Sequence, residues 1–219
     1  MGSAGSILHH FQSGGRTIRI ETFPARPDGP RPSVILLHGA NGVKFENLVV
    51  SGVMQFLGAR DLAVHLVHYF DRTDTSYADN PTIHRYFPDW MASVQDAIRH
   101  IQERYAGAPL GMFGHSLGGY LTAATLVQNP AVQAAVILSG GIDENSARAV
   151  QRTAPALILH GAADTRVEVT EARRLVGALT SAGAPPEFHL YPREGHVLEM
   201  ASYADALNRS AQFLRRHLA

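Results

Sequence analysis

The sequence predicts an α/β fold: a doubly wound, mostly parallel sheet with helices on both faces. Three observations carry this. Short apolar runs alternate with longer segments of helical periodicity along most of the chain. Several of those runs are apolar at successive positions, as strands covered on both faces are. The reactive residue types fall just after the runs, where a parallel sheet gathers its ligand site beyond the carboxyl ends of its strands. His38 follows Leu37 directly, Ser116 follows Phe113 by three, Asp164 follows Leu159 by five and His196 follows Tyr191 by five. A length of 219 residues suits one domain over the whole chain, residues 1–219.

In chain order, Ile18, Ile20 and Thr22 alternate with Arg19 and Glu21, the pattern of a half-buried strand. Ile7 to Phe11 precedes it across Gly14-Gly15, so an N-terminal hairpin is expected at a sheet edge. The Pro-rich stretch Pro24 to Pro32 leads away from it, and residues 1–31 form this hairpin and lead-in. Strands are then expected at Val34 to Leu37, Leu62 to Val67, Leu110 to Phe113, Val132 to Leu138, Ala156 to Leu159 and Phe188 to Tyr191. Helices are expected at Phe45 to Leu57, Asp89 to Tyr105, Leu117 to Gln128, Val169 to Ser181 and Ser202 to Leu218. The clearest is Asp89 to Tyr105, where Trp90, Val94, Ala97, Ile98 and Ile101 recur at helical spacing.

Composition removes several kinds of chemistry. With 45% hydrophobic and 17% charged residues the chain is too apolar for intrinsic disorder. Nineteen basic side chains balance nineteen acidic ones, so the basic excess of a general nucleic-acid binder is missing. The absence of cysteine excludes disulfides, thiolate metal sites and a thiol nucleophile. Lys44 is the sole lysine and lies in no Gly-rich phosphate-binding pattern. The twelve histidines offer no closed ligand set, and His65 and His68 would face opposite sides of a strand, so no metal is expected. No G-x-G-x-x-G fingerprint calls for a nucleotide cofactor, and none of any kind is expected. No run reaches the ~20 apolar residues of a membrane span, and the start lacks the regions of a secretory signal, so a cytoplasmic protein is expected.

Gly114-His115-Ser116-Leu117-Gly118-Gly119 sits between a strand-like and a helix-like run, the setting of a nucleophile elbow. A turn this sharp would bring neighbouring β-carbons into collision, and glycine at 114 and 118 removes two of them. The serine is then held proud of the sheet over the N-terminus of a helix, where backbone N–H groups favour developing negative charge. A serine hydroxyl needs an imidazole to accept its proton, and that imidazole needs a carboxylate to fix its tautomer. Asp164 and then His196 follow, each in a loop after an apolar run. Asp143 and Glu194 are rival acids. Asp143 reads equally as a cap for a helix from Glu144, and Glu194 lies too close along the chain to reach His196 easily. The small-residue turn His38 to Gly42 can present the N–H of Ala40 toward the nucleophile, paired with that of Leu117, as an oxyanion hole. His38 reads as a brace for this turn.

On these residues the chain resembles the α/β-hydrolase superfamily from about Pro32 to the C-terminus. Within it, Ala40-Asn41-Gly42-Val43, the Gly114 to Gly119 elbow, Gly161 with Asp164, Gly195-His196 and His68 to Thr73 make it most similar to the dienelactone hydrolase family. The resemblance implies the α/β-hydrolase fold with little or no lid and a Ser116–His196–Asp164 triad. It also brings two departures. Dienelactone hydrolases generally use an elbow cysteine, triggered by a glutamate on the strand before the oxyanion loop. This chain has Ser116 and, at the glutamate's position, Gly39. Those enzymes grip an anionic substrate with arginines, one of them four residues past the histidine, where this chain has Met200. Arg72 and Arg166 are then the cations that could replace it.

The expected function is hydrolysis of small soluble carboxylic esters through an acyl-enzyme, with a small-molecule ester as partner. The same triad serves a dienelactone hydrolase, an acyltransferase or a peptidase, and a non-catalytic hydrolase-fold binding protein is the alternative from another class. Only Ser139 to Pro155 separates two sheet runs, too short for a large helical lid, whereas Asp71 to Pro88 is long enough for a partial flap. Monomer and homodimer are equally compatible with the sequence.

Overall fold

The computed structural model describes residues 5–23, 31–151 and 153–219. Its sheet begins with β1 (Ile7–Ser13) and β2 (Arg16–Phe23), the hairpin expected from the alternating pattern. Gly14 and Gly15 turn it with positive φ values of 56° and 75°, a conformation glycine adopts without a β-carbon clash. The lead-in over 24–30 lies outside the described residues. From there β3 (Ser33–Leu37), α1 (Gly42–Phe45), α2 (Asn47–Gly58), β4 (Ala63–Val67), α3 (Asn80–Arg104), β5 (Leu110–His115) and α4 (Leu117–Gln128) follow. The second half contains β6 (Ala134–Leu138), α5 (Glu144–Ala149), β7 (Ala156–Gly161), α6 (Val169–Ser181), β8 (Glu187–Tyr191) and α7 (Met200–His217).

Eight strands among the described residues form one sheet in the order β1-β2-β4-β3-β5-β6-β7-β8. The hairpin pairs antiparallel onto β4, and the six strands from β4 to β8 run parallel. This is the mostly parallel, doubly wound arrangement of the α/β-hydrolase fold. Strand alternation divides the apolar side chains between two cores. In β3, Ile35 and Leu37 join the core that includes Trp90, Val94, Leu121 and Leu175 from α3, α4 and α6. Val34 and Leu36 face the opposite core, with Val53 and Leu57 of α2 and Leu214 of α7. Because both faces are covered, β3 to β7 are buried at every position.

Two expected helices are drawn differently. The run from Phe45 to Leu57 is broken at Glu46, where φ −100° and ψ 16° separate α1 from α2. Phe45 and Leu48 are left on the surface while the Glu46 carboxylate turns inward. Pro88 marked the end of a connection, yet α3 runs through it and begins at Asn80. Asp79 caps this start by accepting the Thr82 N–H at 3.0 Å, and Pro81 occupies the first turn, where a missing N–H costs nothing. Pro88 forfeits one hydrogen bond, but the added turns pack Ile83, Tyr86 and Phe87 against the core. The stretch Asp71 to Pro88 is therefore largely a short 3₁₀ turn and helix, with only a brief coil between them.

Candidate active site

Four loops at the carboxyl ends of β3, β5, β7 and β8 meet above the parallel strands. After β5, Ser116 stands at φ 55° and ψ −118°, a strained conformation for a residue with a β-carbon. Its N–H donates to the Leu138 carbonyl at 3.0 Å, anchoring the turn to β6. The glycines are required: a β-carbon on Gly114 would stand 2.1 Å from the Gly118 carbonyl oxygen. Ser116 then lies at the head of α4, whose first N–H groups have no carbonyl one turn back to receive them.

His196, in the loop after β8, reaches the serine across 80 residues of sequence. Its Nε2 lies 2.9 Å from Ser116 Oγ, and its Nδ1 lies 2.8 Å from Asp164 Oδ2. An ionised carboxylate only accepts hydrogen bonds, so Nδ1–H donates to Asp164 and Nε2 is left to accept the serine proton. Asp164 follows β7 and has no exposed side-chain surface. Its other oxygen accepts the N–H groups of Arg166 at 2.9 Å and Val167 at 3.0 Å. Burial alone would raise its pKa, but the hydrogen bonds from His196, Val167 and Arg166 outweigh that and lower it, so Asp164 is an anion at neutral pH.

The rival acids accept hydrogen bonds at helix starts and not from His196. Asp143 Oδ1 caps α5, accepting the N–H groups of Asn145 and Ser146, both at 3.0 Å. Glu194 accepts the Glu199 N–H at 2.8 Å and the Ser202 hydroxyl at 2.6 Å, at the start of α7. His38 stacks on Tyr69 with centroids 4.3 Å apart, and its Nδ1–H donates to the Gly39 carbonyl at 2.8 Å. Burial lowers its pKa to about 4, so it is neutral, a brace for the β3 loop and not a proton carrier at neutral pH.

Ser116, Leu117, His196, Ala40 and Arg166 line one cavity of about 1270 Å³. Ala40 is fixed there from the far side, because the Ala78 N–H donates to its carbonyl at 2.9 Å. Residues of the 77–88 stretch, Tyr77, Ile83, His84 and Phe87 among them, form much of the wall. The stretch expected as a flap is thus a helical wall. Arg72, expected as a substrate cation, and Met200, at the position of the family's arginine, both lie elsewhere. Arg72 turns toward the hairpin, donating to Ser13 Oγ at 2.6 Å and to Asp89 Oδ1 at 3.3 Å, because the Gly14 turn leaves room for its guanidinium. Met200 opens α7 on the surface, 83% exposed and outside the cavity lining.

Sequence reasoning passed over Glu46, whose carboxylate lies beneath this site. It also passed over Tyr120, which lines the cavity and donates to Glu171 Oε2 at 3.2 Å. Tyr120 sits one turn after Ser116 on α4, which is a signal that helical spacing could have given.

Among the described residues no group of His, Asp and Glu is placed to hold a metal ion, and no helix is long and apolar enough to cross a membrane. The fold and the loop cluster above it define an α/β-hydrolase. More narrowly, the profile of the dienelactone hydrolase family matches residues 20–216, and the chain belongs to that family.

Similar structures agree in fold. A dienelactone hydrolase-like promiscuous phosphotriesterase from metagenomic libraries superposes with a TM-score of 0.82 at 15% identity, covering 98% of each chain. An esterase of Pyrococcus furiosus gives 0.79 at 14% identity, over 98% of this chain and 93% of that one. In sequence, 94 residues are 35% identical to a protein of Oryza sativa subsp. japonica named a probable inactive carboxylesterase. That match spans 40% of this chain and 38% of the plant protein.

Proposed function

We propose that the chain is a serine hydrolase of small carboxylic esters. One observation carries this reading: Ser116 Oγ, His196 Nε2, His196 Nδ1 and Asp164 Oδ2 are linked by successive contacts of 2.9 and 2.8 Å at the wall of a cavity. In the reaction Ser116 Oγ attacks the ester carbonyl while His196 Nε2 takes its proton. The carbonyl oxygen becomes an anion held by the N–H groups of Ala40 and Leu117. The tetrahedral intermediate collapses, the alkoxide leaves with the proton from His196, and an acyl-Ser116 ester remains. Water then attacks that ester with His196 again as base, releasing the acid and restoring the serine. Asp164 holds the imidazole in the required tautomer and stabilises its charged form.

The cavity supports uncharged substrates over anionic ones. Among the described residues, Asp79, Asp143 and Glu171 line it against the single guanidinium of Arg166, and an anion entering it meets more carboxylates than cations there. Cytoplasmic action without a cofactor belongs to the same proposal.

Similarity to the plant protein named inactive favours one other reading, a hydrolase-fold binding protein without turnover. A fluorophosphonate probe separates the two, since it labels only an activated serine. Ser116→Ala is expected to abolish labelling and to lower kcat on p-nitrophenyl acetate by ~10⁶. A folded variant with wild-type turnover, or a wild-type protein that is neither labelled nor active, would overturn the esterase reading.

A further inference from the structure

Glu46 joins the two loops that the proposed mechanism needs in register. It lies in the break between α1 and α2, and its side chain is almost fully buried. A single oxygen, Oε2, accepts the Gly39 N–H at 2.7 Å and the His115 Nδ1–H at 3.1 Å. Gly39 directly precedes Ala40, and His115 directly precedes Ser116. The His115 ring also packs against His196, with centroids 5.4 Å apart. The fit depends on glycine at 39, because a β-carbon there would stand 2.3 Å from Glu46 Oε1.

A buried carboxylate is costly unless it is hydrogen-bonded. No lysine or arginine pairs with Glu46 among the described residues, so the two donors compensate it. Burial would raise its pKa, but the bonds from His115 and Gly39 leave it lowered, and the group is an anion at neutral pH.

We infer that Glu46 is a positioning residue, setting the spacing between the Ala40 loop and the Ser116 elbow and hence between the two oxyanion donors. The inference rests on the reading of Ser116 as nucleophile. Substrate does not need to touch Glu46, which is absent from the cavity lining. Its loss should therefore act on kcat and leave KM nearly unchanged. A misplacement of about 1 Å costs on the order of 10² in rate, and that is the loss expected for Glu46→Ala.

Three variants separate geometry from charge. Glu46→Gln keeps the length and an accepting oxygen but removes the charge. Glu46→Asp keeps the charge but is one methylene short of its partners. The brace requires Gln to retain most of kcat and Asp to fall close to Ala. A second readout is independent of activity: the amide proton of Gly39 in a ¹H–¹⁵N NMR spectrum. It should move upfield in Glu46→Ala and Glu46→Asp and stay near its wild-type position in Glu46→Gln. If Glu46→Ala does not fold, the Gln–Asp pair decides. A folded Ala variant with wild-type kcat, an Asp variant faster than Gln, or an unmoved Gly39 amide would overturn the inference. Failure of the esterase reading shows separately, as a wild-type protein that a fluorophosphonate does not label.

Discussion

Gly118 and Leu37 pack backbone to backbone: a β-carbon on Gly118 would stand 2.2 Å from the Leu37 carbonyl oxygen and 2.7 Å from that of His38. The elbow helix α4 is thereby pressed against the end of β3, where the Ala40 loop begins. Neither neighbour is a flexible side-chain end that could swing away. The second elbow glycine therefore sets the distance between two strand ends as well as relieving its own turn.

Gly118→Ala should displace one of those strand ends. Forcing a methyl group into a packed interior costs about 1–3 kcal/mol, and a shift of about 1 Å in the elbow costs ~10² in turnover. Gly177, inside α6, where an added β-carbon would meet nothing within 4 Å beyond its chain neighbours and its own helix backbone, is the matched control. Gly177→Ala should raise stability by up to about 1 kcal/mol through helix propensity and leave turnover alone. Thermal melts and p-nitrophenyl acetate assays of both variants test the opposite signs.

Asp164→Asn is expected to lower kcat by ~10⁴, because the amide can donate to His196 and hold it in the wrong tautomer. Asp143→Asn should leave kcat near wild type, since an asparagine still caps α5 through its side-chain oxygen. Measured side by side, the reverse ranking would move the orienting acid to Asp143, which also lines the cavity.

The strand positions and the meeting of Ser116, Asp164 and His196 were readable because they rest on local rules. An apolar run, a Gly-x-Ser-x-Gly turn and a loop bearing an acid or a histidine each carry their own signal, and a parallel sheet brings strand ends together. Asp143 as a cap and Ala40 at the cavity were legible for the same reason. Features set by long-range contact were not. Pro88 argued for a helix end, but the packing of Ile83 and Phe87 outweighed one lost hydrogen bond. Glu46 sits inside an apolar helical pattern that reads unbroken, and its partners lie 7 and 69 residues away. Met200 stands where the resemblance puts an arginine of the family, four residues past His196. That offset says nothing of direction, and α7 carries the side chain to the surface.

That surface position leads to a prediction about charge. Met200→Arg should not create activity on a dienelactone, because its guanidinium would sit in solvent outside the cavity lining. Among the described residues Arg166 is the cation that lines the cavity, so Arg166→Ala should lower kcat/KM for an anionic lactone more than for p-nitrophenyl acetate. The wild type should prefer the acetate. A preference for the dienelactone, or its appearance in Met200→Arg, would refute the assignment of charges to the cavity.

Acid should destabilise the fold through histidines buried in neutral form. His65 is wholly buried between strands, with Nδ1 2.9 Å from Thr22 Oγ1 and Nε2 3.1 Å from Ser33 Oγ. Burial lowers its pKa to about 3, helped by the nearby positive charge of His9, His100 and Arg104. His38, also wholly buried, is lowered to about 4. In the unfolded chain both titrate near 6.5. Above pH 6.5 both states are neutral and nothing is lost. Below it the unfolded state binds protons that the folded state refuses, so stability falls with falling pH. The fall extends to about pH 4 for His38 and about pH 3 for His65, at up to about 1.4 kcal/mol per pH unit for each group. Urea midpoints measured from pH 7.5 to 4.5 should drop progressively below 6.5. His65→Gln, which keeps a polar side chain between Thr22 and Ser33, should start less stable at pH 7.5 and show a shallower decline. Parallel declines for the two proteins would show that His65 does not carry the acid sensitivity.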